Sequence, residues 1–148
     1  DQAGLFQRHD VGTRFRREVQ VQTRFANELP RVPADRVQVQ QVLMNLLVNA
    51  CDAMGEHPRE ERIVTIITGE TLGKEVKVSV TDQGSGLPLG KEEQVFEPFY
   101  TSKSHGLGLG LSICRTIVTA HGGALWGVNN PDRGATFHLV LRARHEAA

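Results

Sequence analysis

The chain has 148 residues, 39% of them hydrophobic and 23% charged, which suits one globular domain around one core. Lysine plus arginine balances aspartate plus glutamate at 17 each, so no basic field exists to draw the chain onto nucleic acid or anionic lipid. No run approaches the ~18 apolar residues of a membrane span, and Asp1 to Arg8 lacks the basic and apolar regions of a signal peptide, so a cytoplasmic domain without membrane contact is expected.

From Glu18 to Ala26, Val19, Val21, Thr23 and Phe25 alternate with Gln20, Gln22 and Arg24, the period of a half-buried strand. Asp35 can cap a helix whose apolar residues, from Val37 through Val42, Leu43, Leu46, Leu47 and Ala50 to Met54, recur at three-and-four spacing, with Gly55 as its stop. Two strands rich in β-branched residues follow, Arg62 to Thr68 and Lys74 to Thr81, with Gly69 to Gly73 as the turn. Asp82 to Gly106 is a long break punctuated by Gly84, Gly86, Pro88, Gly90 and Pro98, well beyond the usual connection of about 4–6 residues, and such loops are usually functional. A helix from Gly108 to His121 and strands at Ala124 to Val128 and Thr136 to Leu141, around an Asn129–Gly134 turn, complete an α+β sandwich. Cys51 and Cys114 lie within the helical patterns, outside any metal or CxxC spacing, and read as buried reduced thiols.

Four segments carry chemistry. Asn45 and Asn49 stand four apart on one helical face, with Gln41 a turn earlier; amide oxygens there suit a hydrated magnesium ion beside a triphosphate, while the plain alternative is a solvated face. Asp82-Gln83-Gly84-Ser85-Gly86 follows a strand directly, so its carboxylate can accept a hydrogen bond from the adenine amine and would repel the guanine carbonyl; the plain alternative is a turn. In Phe96-Glu97-Pro98-Phe99-Tyr100-Thr101-Ser102-Lys103 the aromatics are expected to pack when the loop closes, bringing Lys103 to the terminal phosphate, or else to form a small satellite core. Gly106-Leu107-Gly108-Leu109-Gly110-Leu111 opens a helix with alternate glycines, a seat for phosphate. These glycines follow a loop and not a strand, which disfavours a dinucleotide fingerprint, and no GxxxxGK[ST] loop occurs.

In this order and at these separations, the four segments resemble the N box, first glycine box, F box and second glycine box of sensor histidine kinases, which share a fold with Hsp90-type ATPases, DNA gyrase and MutL. Gly134-Ala135-Thr136-Phe137 resembles the closing glycine-threonine motif, and the wording FEPFYTSK is most similar to the oxygen-sensing and nitrogen-regulatory branch. The resemblance implies a two-layer α/β sandwich of the Bergerat type, with a mixed sheet, helices on one face and a long ATP lid over about 84–107. It implies a catalytic domain at 18–145 after a shortened segment at 1–17. The implied cofactors are ATP and Mg2+, with Asn49 and Asn45 at the metal and Asn45 and Lys103 as catalytic residues. The implied nucleotide set is Asn45, Asn49, Ala53, Asp82, Gly84, Gly86, Leu87, Lys103, Gly106, Leu107, Gly108, Leu109, Gly110 and Thr136. The implied partners are the histidine-bearing dimerisation helices of the same kinase, which receive the γ-phosphate, and a response regulator; the domain without those helices is expected to be monomeric.

Asp52 stands where many such kinases carry a basic residue that touches phosphate, and Val11 to Glu18 leaves room for about two turns of helix where the family has more. In a hydrolase of this fold, a glutamate one turn before the magnesium asparagine activates water; this chain has Asn45 there, which is no general base at neutral pH. A serine kinase of the same fold and a non-catalytic nucleotide-sensing module are the remaining alternatives.

Overall fold

The computed structural model describes residues 7–10, 19–55, 57–100 and 110–143. Their strands are β1 (Gln7–Asp10), β2 (Gln20–Arg24), β3 (Ile63–Glu70), β4 (Glu75–Thr81), β5 (Ala124–Asn129) and β6 (Ala135–Arg142); the helices are α1 (Arg36–Ala53) and α2 (Gly110–Ala120). Short 3-10 turns lie at Arg59–Glu61 and Glu92–Phe96. The strands form one six-stranded sheet in the order β1-β2-β3-β4-β6-β5. Only β2 and β3 run parallel, and α1 is the crossover between them. The result is the expected α+β arrangement, a mixed sheet with two helices packed side by side against it.

Asp35 caps α1 as its position predicts: Oδ1 accepts from the Val37 and Gln38 amides at 2.9 and 3.2 Å. The start of α1 is tied to the end of α2 through His121, whose Nε2 accepts from the Asp35 amide while Nδ1 hydrogen bonds to the Ile117 carbonyl. Gly122, at φ +74°, ends α2 in the left-handed region. The apolar stripe of α1 supplies Val42, Leu46 and Ala50 to a core completed by Cys114 and Val118 of α2 and by Val64, Val80, Phe137 and Leu139 of the sheet. Both cysteines are buried and neither is in a disulfide. Leu46 is fully enclosed. Leu46→Ala should therefore lower unfolding free energy by about 3 kcal/mol, read as a lower denaturant midpoint at unchanged slope.

Three elements differ from the sequence reading. β1 was not expected, because Gln-Arg-His-Asp has no apolar alternation; it joins the sheet edge by pairing its backbone with β2. The segment 11–18, with room for about two turns of helix, lies outside the described residues. The β3–β4 turn is tighter than Gly69–Gly73, since β3 continues to Glu70 and the chain reverses over Thr71–Lys74, where the Thr71 amide donates to the Glu75 carbonyl at 2.8 Å. Within the long break, the turn at Glu92–Phe96 buries Val95 and Phe96; a single 3-10 turn is too short to leave a periodic signal.

Candidate functional site

The site forms where β4 ends beside the start of β6. Thr81 pairs with Thr136 in the sheet, so Asp82 leaves β4 opposite Ala135. Its amide donates to the Ala135 carbonyl at 2.9 Å, and its Oδ1 accepts from the Ala135 amide at 3.1 Å and the Gly84 amide at 2.8 Å. Both of these backbone donors converge on one carboxylate oxygen. Asp82 is 1% exposed, and burial pushes its pKa up; the Gly84 and Ala135 amides and the nearby His57 act in the opposite direction. The His57 Nδ1 is itself buried and finds no hydrogen-bond partner among the described residues.

The end of α1 meets the turn that follows Asp82. A Cβ on Gly84 would lie 2.5 Å from the Ala53 carbonyl oxygen, so only glycine allows this approach, and the Met54 sulfur accepts from the Gln83 amide at 3.3 Å. Asn49 and Asn45 lie one and two turns before Ala53 on α1, about 6 and 12 Å along the axis at 1.5 Å per residue. Both are half-buried, whereas Gln41 is exposed. Cys114 of α2 packs beside Asn45: its thiol approaches the Val42 carbonyl at 3.8 Å, and burial pushes its pKa up against a hydrogen bond from the Asn45 side chain.

The aromatics of the Phe96–Lys103 segment part company in the fold. Phe96 is core, edge-on to Phe137 with centroids 6.0 Å apart, and the Arg115 guanidinium lies 3.7 Å from its ring centroid. Arg115 also grips Glu93 through two hydrogen bonds of 2.6 and 3.1 Å and donates to the Leu125 carbonyl, pinning this stretch to α2 and β5. Tyr100 packs partly against the core, but Phe99 is 73% exposed at φ +66°. The three do not form one cluster. Gly110 is the first residue of α2, while Lys103, Gly106, Leu107, Gly108 and Leu109 lie outside the described residues.

Thr136, expected in the nucleotide set, engages its hydroxyl within the frame, donating to Asn130 Oδ1 at 2.5 Å and meeting Thr81 Oγ1 at 2.8 Å. Asn129 and Asn130, read from sequence only as turn residues, both reach the Asp82–Leu87 segment. The Asn130 side chain donates to the Asp82 carbonyl at 3.0 Å, and Asn129 takes both backbone groups of Leu87. The chemical type of these residues was visible, but the partner across the sheet was not.

The family described as histidine kinase-, DNA gyrase B- and HSP90-like ATPase matches residues 34–145. The sensor protein FixL of Bradyrhizobium diazoefficiens is 42% identical over 138 residues, covering 92% of this chain and 27% of FixL. The sensor histidine kinase ZraS of Escherichia coli K12 is 38% identical over 125 residues, covering 84% of this chain and 26% of ZraS. The chain thus spans about a quarter of the length of these relatives. Among solved structures, the catalytic domain of histidine kinase ThkA superposes with a TM-score of 0.70 at 38% identity, covering 82% of this chain and 76% of that one. Full-length ShkA in complex with AMPPNP gives 0.69 at 28% identity, covering 86% of this chain and 27% of that one.

Proposed function

Because the chain belongs to the histidine kinase-, DNA gyrase B- and HSP90-like ATPase family and its relatives are sensor histidine kinases, we propose that it binds ATP with magnesium and serves as the catalytic module of a sensor kinase. The observation that carries this reading is the Asp82 carboxylate, buried and held through one oxygen by two backbone amides at the very end of the asparagine-bearing helix. An adenine amine donating to Asp82 would be bounded by Ala53, Gly84, Gly86 and Leu87. A nucleotide running back along α1 from there would carry its phosphates past Asn49 towards Asn45, a span that one and two helical turns match. The complex of ShkA with AMPPNP supports a nucleotide as the ligand of this fold.

The donor set suits magnesium. Asn49 and Asn45 offer neutral, hard amide oxygens from one half-buried face of α1 and so add no negative charge beside a triphosphate. Magnesium, when bound, would neutralise phosphate charge. The α2 amides from Gly110 onward, with Lys103, Gly106 and Leu107 of the lid and Gly108 and Leu109 where the lid meets the helix, would form the phosphate seat, and Thr136 would brace the base pocket. In this reading the catalytic domain is 18–145, the lid is about 84–107, and 1–17 leads in.

The domain's work is positioning. With Asp82 fixing the base and Asn45 and Lys103 the phosphate end, the γ-phosphorus faces an imidazole nitrogen on a separate dimerisation helix. An N–P bond forms as the bond to the bridging oxygen breaks, and ADP leaves. A response regulator aspartate is the later acceptor. Calorimetric titration of the chain with ATP should show binding that magnesium strengthens about tenfold, and Asn49→Ala should remove that increment while leaving metal-free binding within about twofold. No ATP binding by the unaltered chain would overturn the reading.

A further inference from the structure

Asn129 and Asn130 stand where β5 gives way to the turn into β6, and neither belongs to the nucleotide set implied by the family resemblance. Their side chains nevertheless grip the opposite ends of the segment that begins at Asp82. Asn130 Nδ2 donates to the Asp82 carbonyl and to the Arg133 carbonyl, each at 3.0 Å, while its Oδ1 accepts from the Thr136 hydroxyl. The Thr136 hydroxyl in turn meets Thr81 Oγ1 at 2.8 Å, so the chain of hydrogen bonds closes on the residue just before Asp82. Asn129 acts five residues further along. Its Oδ1 accepts from the Leu87 amide at 2.7 Å and its Nδ2 donates to the Leu87 carbonyl at 3.2 Å, so one amide side chain occupies both backbone groups of a residue as a neighbouring strand would.

Gly86 shows how close the grip is. It sits at φ +84°, and a Cβ there would lie 2.7 Å from Asn129 Oδ1. An ordinary two-residue turn needs no such external partner. Here Asp82 must keep its carboxylate fixed although burial disfavours the charge, and Leu87 must stay in place as the chain departs into a long connection.

We propose that Asn129 and Asn130 are positioning residues for nucleotide recognition: Asn130 sets the backbone from which Asp82 reads the base, and Asn129 anchors Gly86 and Leu87 at the root of the lid. The proposal rests on the ATP-binding reading above. It assigns the two residues different effects. Loss of the Asn130 donor lets Asp82 shift and degrades base discrimination, whereas loss of Asn129 loosens the lid root and leaves the base preference intact.

The test compares Asn130→Asp, Asn130→Ala, Asn129→Asp and Asn129→Ala in the full chain. Asparagine to aspartate keeps size and acceptor but removes the amide donor, so it separates hydrogen bonding from filling space. Affinities for ATP and GTP are measured together with the hydrogen-exchange rate of the Leu87 amide in the nucleotide-free chain. Both Asn130 variants should bind ATP about tenfold more weakly and narrow the ATP-over-GTP ratio, with Leu87 exchange unchanged. Asn129→Ala should weaken ATP about fivefold at an unchanged ratio and speed Leu87 exchange at least tenfold; Asn129→Asp, which keeps the acceptor for that amide, should speed it less. ATP affinity and preference within twofold of the unaltered chain in all four variants would overturn the proposal, as would Leu87 exchange indifferent to Asn129→Ala. Failure of the unaltered chain to bind ATP would instead sink the ATP reading, and with it the recognition role.

Discussion

Replacing Asp82 with asparagine is expected to lower ATP affinity by about 2–3 kcal/mol, roughly 30- to 140-fold, while leaving the fold intact or firmer. Asparagine keeps an oxygen for the Gly84 and Ala135 amides that Oδ1 now accepts, so the turn retains its frame. Its NH2 group, placed towards the base, confronts the adenine amine donor to donor. The same group complements the guanine carbonyl, so preference for ATP over GTP should collapse. Stability should move the other way. Burial raises the Asp82 pKa in the folded chain, so folding favours the protonated acid, and this contribution is fully present below the unfolded-state value. It is lost as pH rises through the raised folded value, beyond which the fold holds a buried charge. Asp82→Asn should therefore melt no lower than the unaltered chain at neutral pH, and any advantage should shrink as the pH falls through the raised folded value and be gone once it reaches the ordinary aspartate range. Thermal melting across pH beside calorimetry with ATP and GTP checks both halves. A variant that keeps ATP affinity would remove Asp82 from base recognition.

The second large effect is expected from Gly134→Ala. Gly134 lies at φ +82°, a conformation costly for any residue with a side chain, and a Cβ there would fall onto the backbone carbonyl oxygen of Asp82. Backbone cannot yield as the tip of a side chain can, so strain and clash act together. The expected loss is about 2–4 kcal/mol, or a drop in melting temperature of roughly 6–12 °C for a domain of this size. Because the displaced atom belongs to Asp82, the base pocket should also lose ATP affinity at temperatures where the chain is still folded. Gly69→Ala is the matched control: Gly69 is in β3, has no unusual φ, and a Cβ there meets nothing within 4 Å. Its melting temperature should stay within about 3 °C of the unaltered chain. Equal behaviour of the two variants would show that the close approach of β6 to Asp82 does not constrain the fold.

What could be read before folding was whatever announces itself locally. The α1 cap and stripe were plain because Asp35 bonds to amides two and three residues on and because helical spacing repeats over five turns. The strands of the central sheet were plain from their β-branched runs, with ends misplaced by one or two residues. β1 was invisible for the converse reason, since an edge strand of polar residues is held by backbone pairing that any sequence can make. The aromatics of the long connection show the same boundary. Phe96, Phe99 and Tyr100 are alike on paper, yet Phe96 is enclosed by Phe137 and Arg115, residues distant in sequence, while Phe99 is left in solvent.

The candidate site divides in the same way. Residue types and order, Asn45 and Asn49 on one helical face and Asp82 with its glycines after a strand, are properties of the chain itself, because helix periodicity and turn chemistry act over a few residues. Tertiary structure alone decided that Ala135 would hold the Asp82 carboxylate, that Ala53 would press against Gly84, and that two turn asparagines would clamp Asp82 and Leu87 from across the sheet. These contacts join residues 31 to 53 positions apart, and strand register and helix docking, set by burial of the common core, are what bring them together.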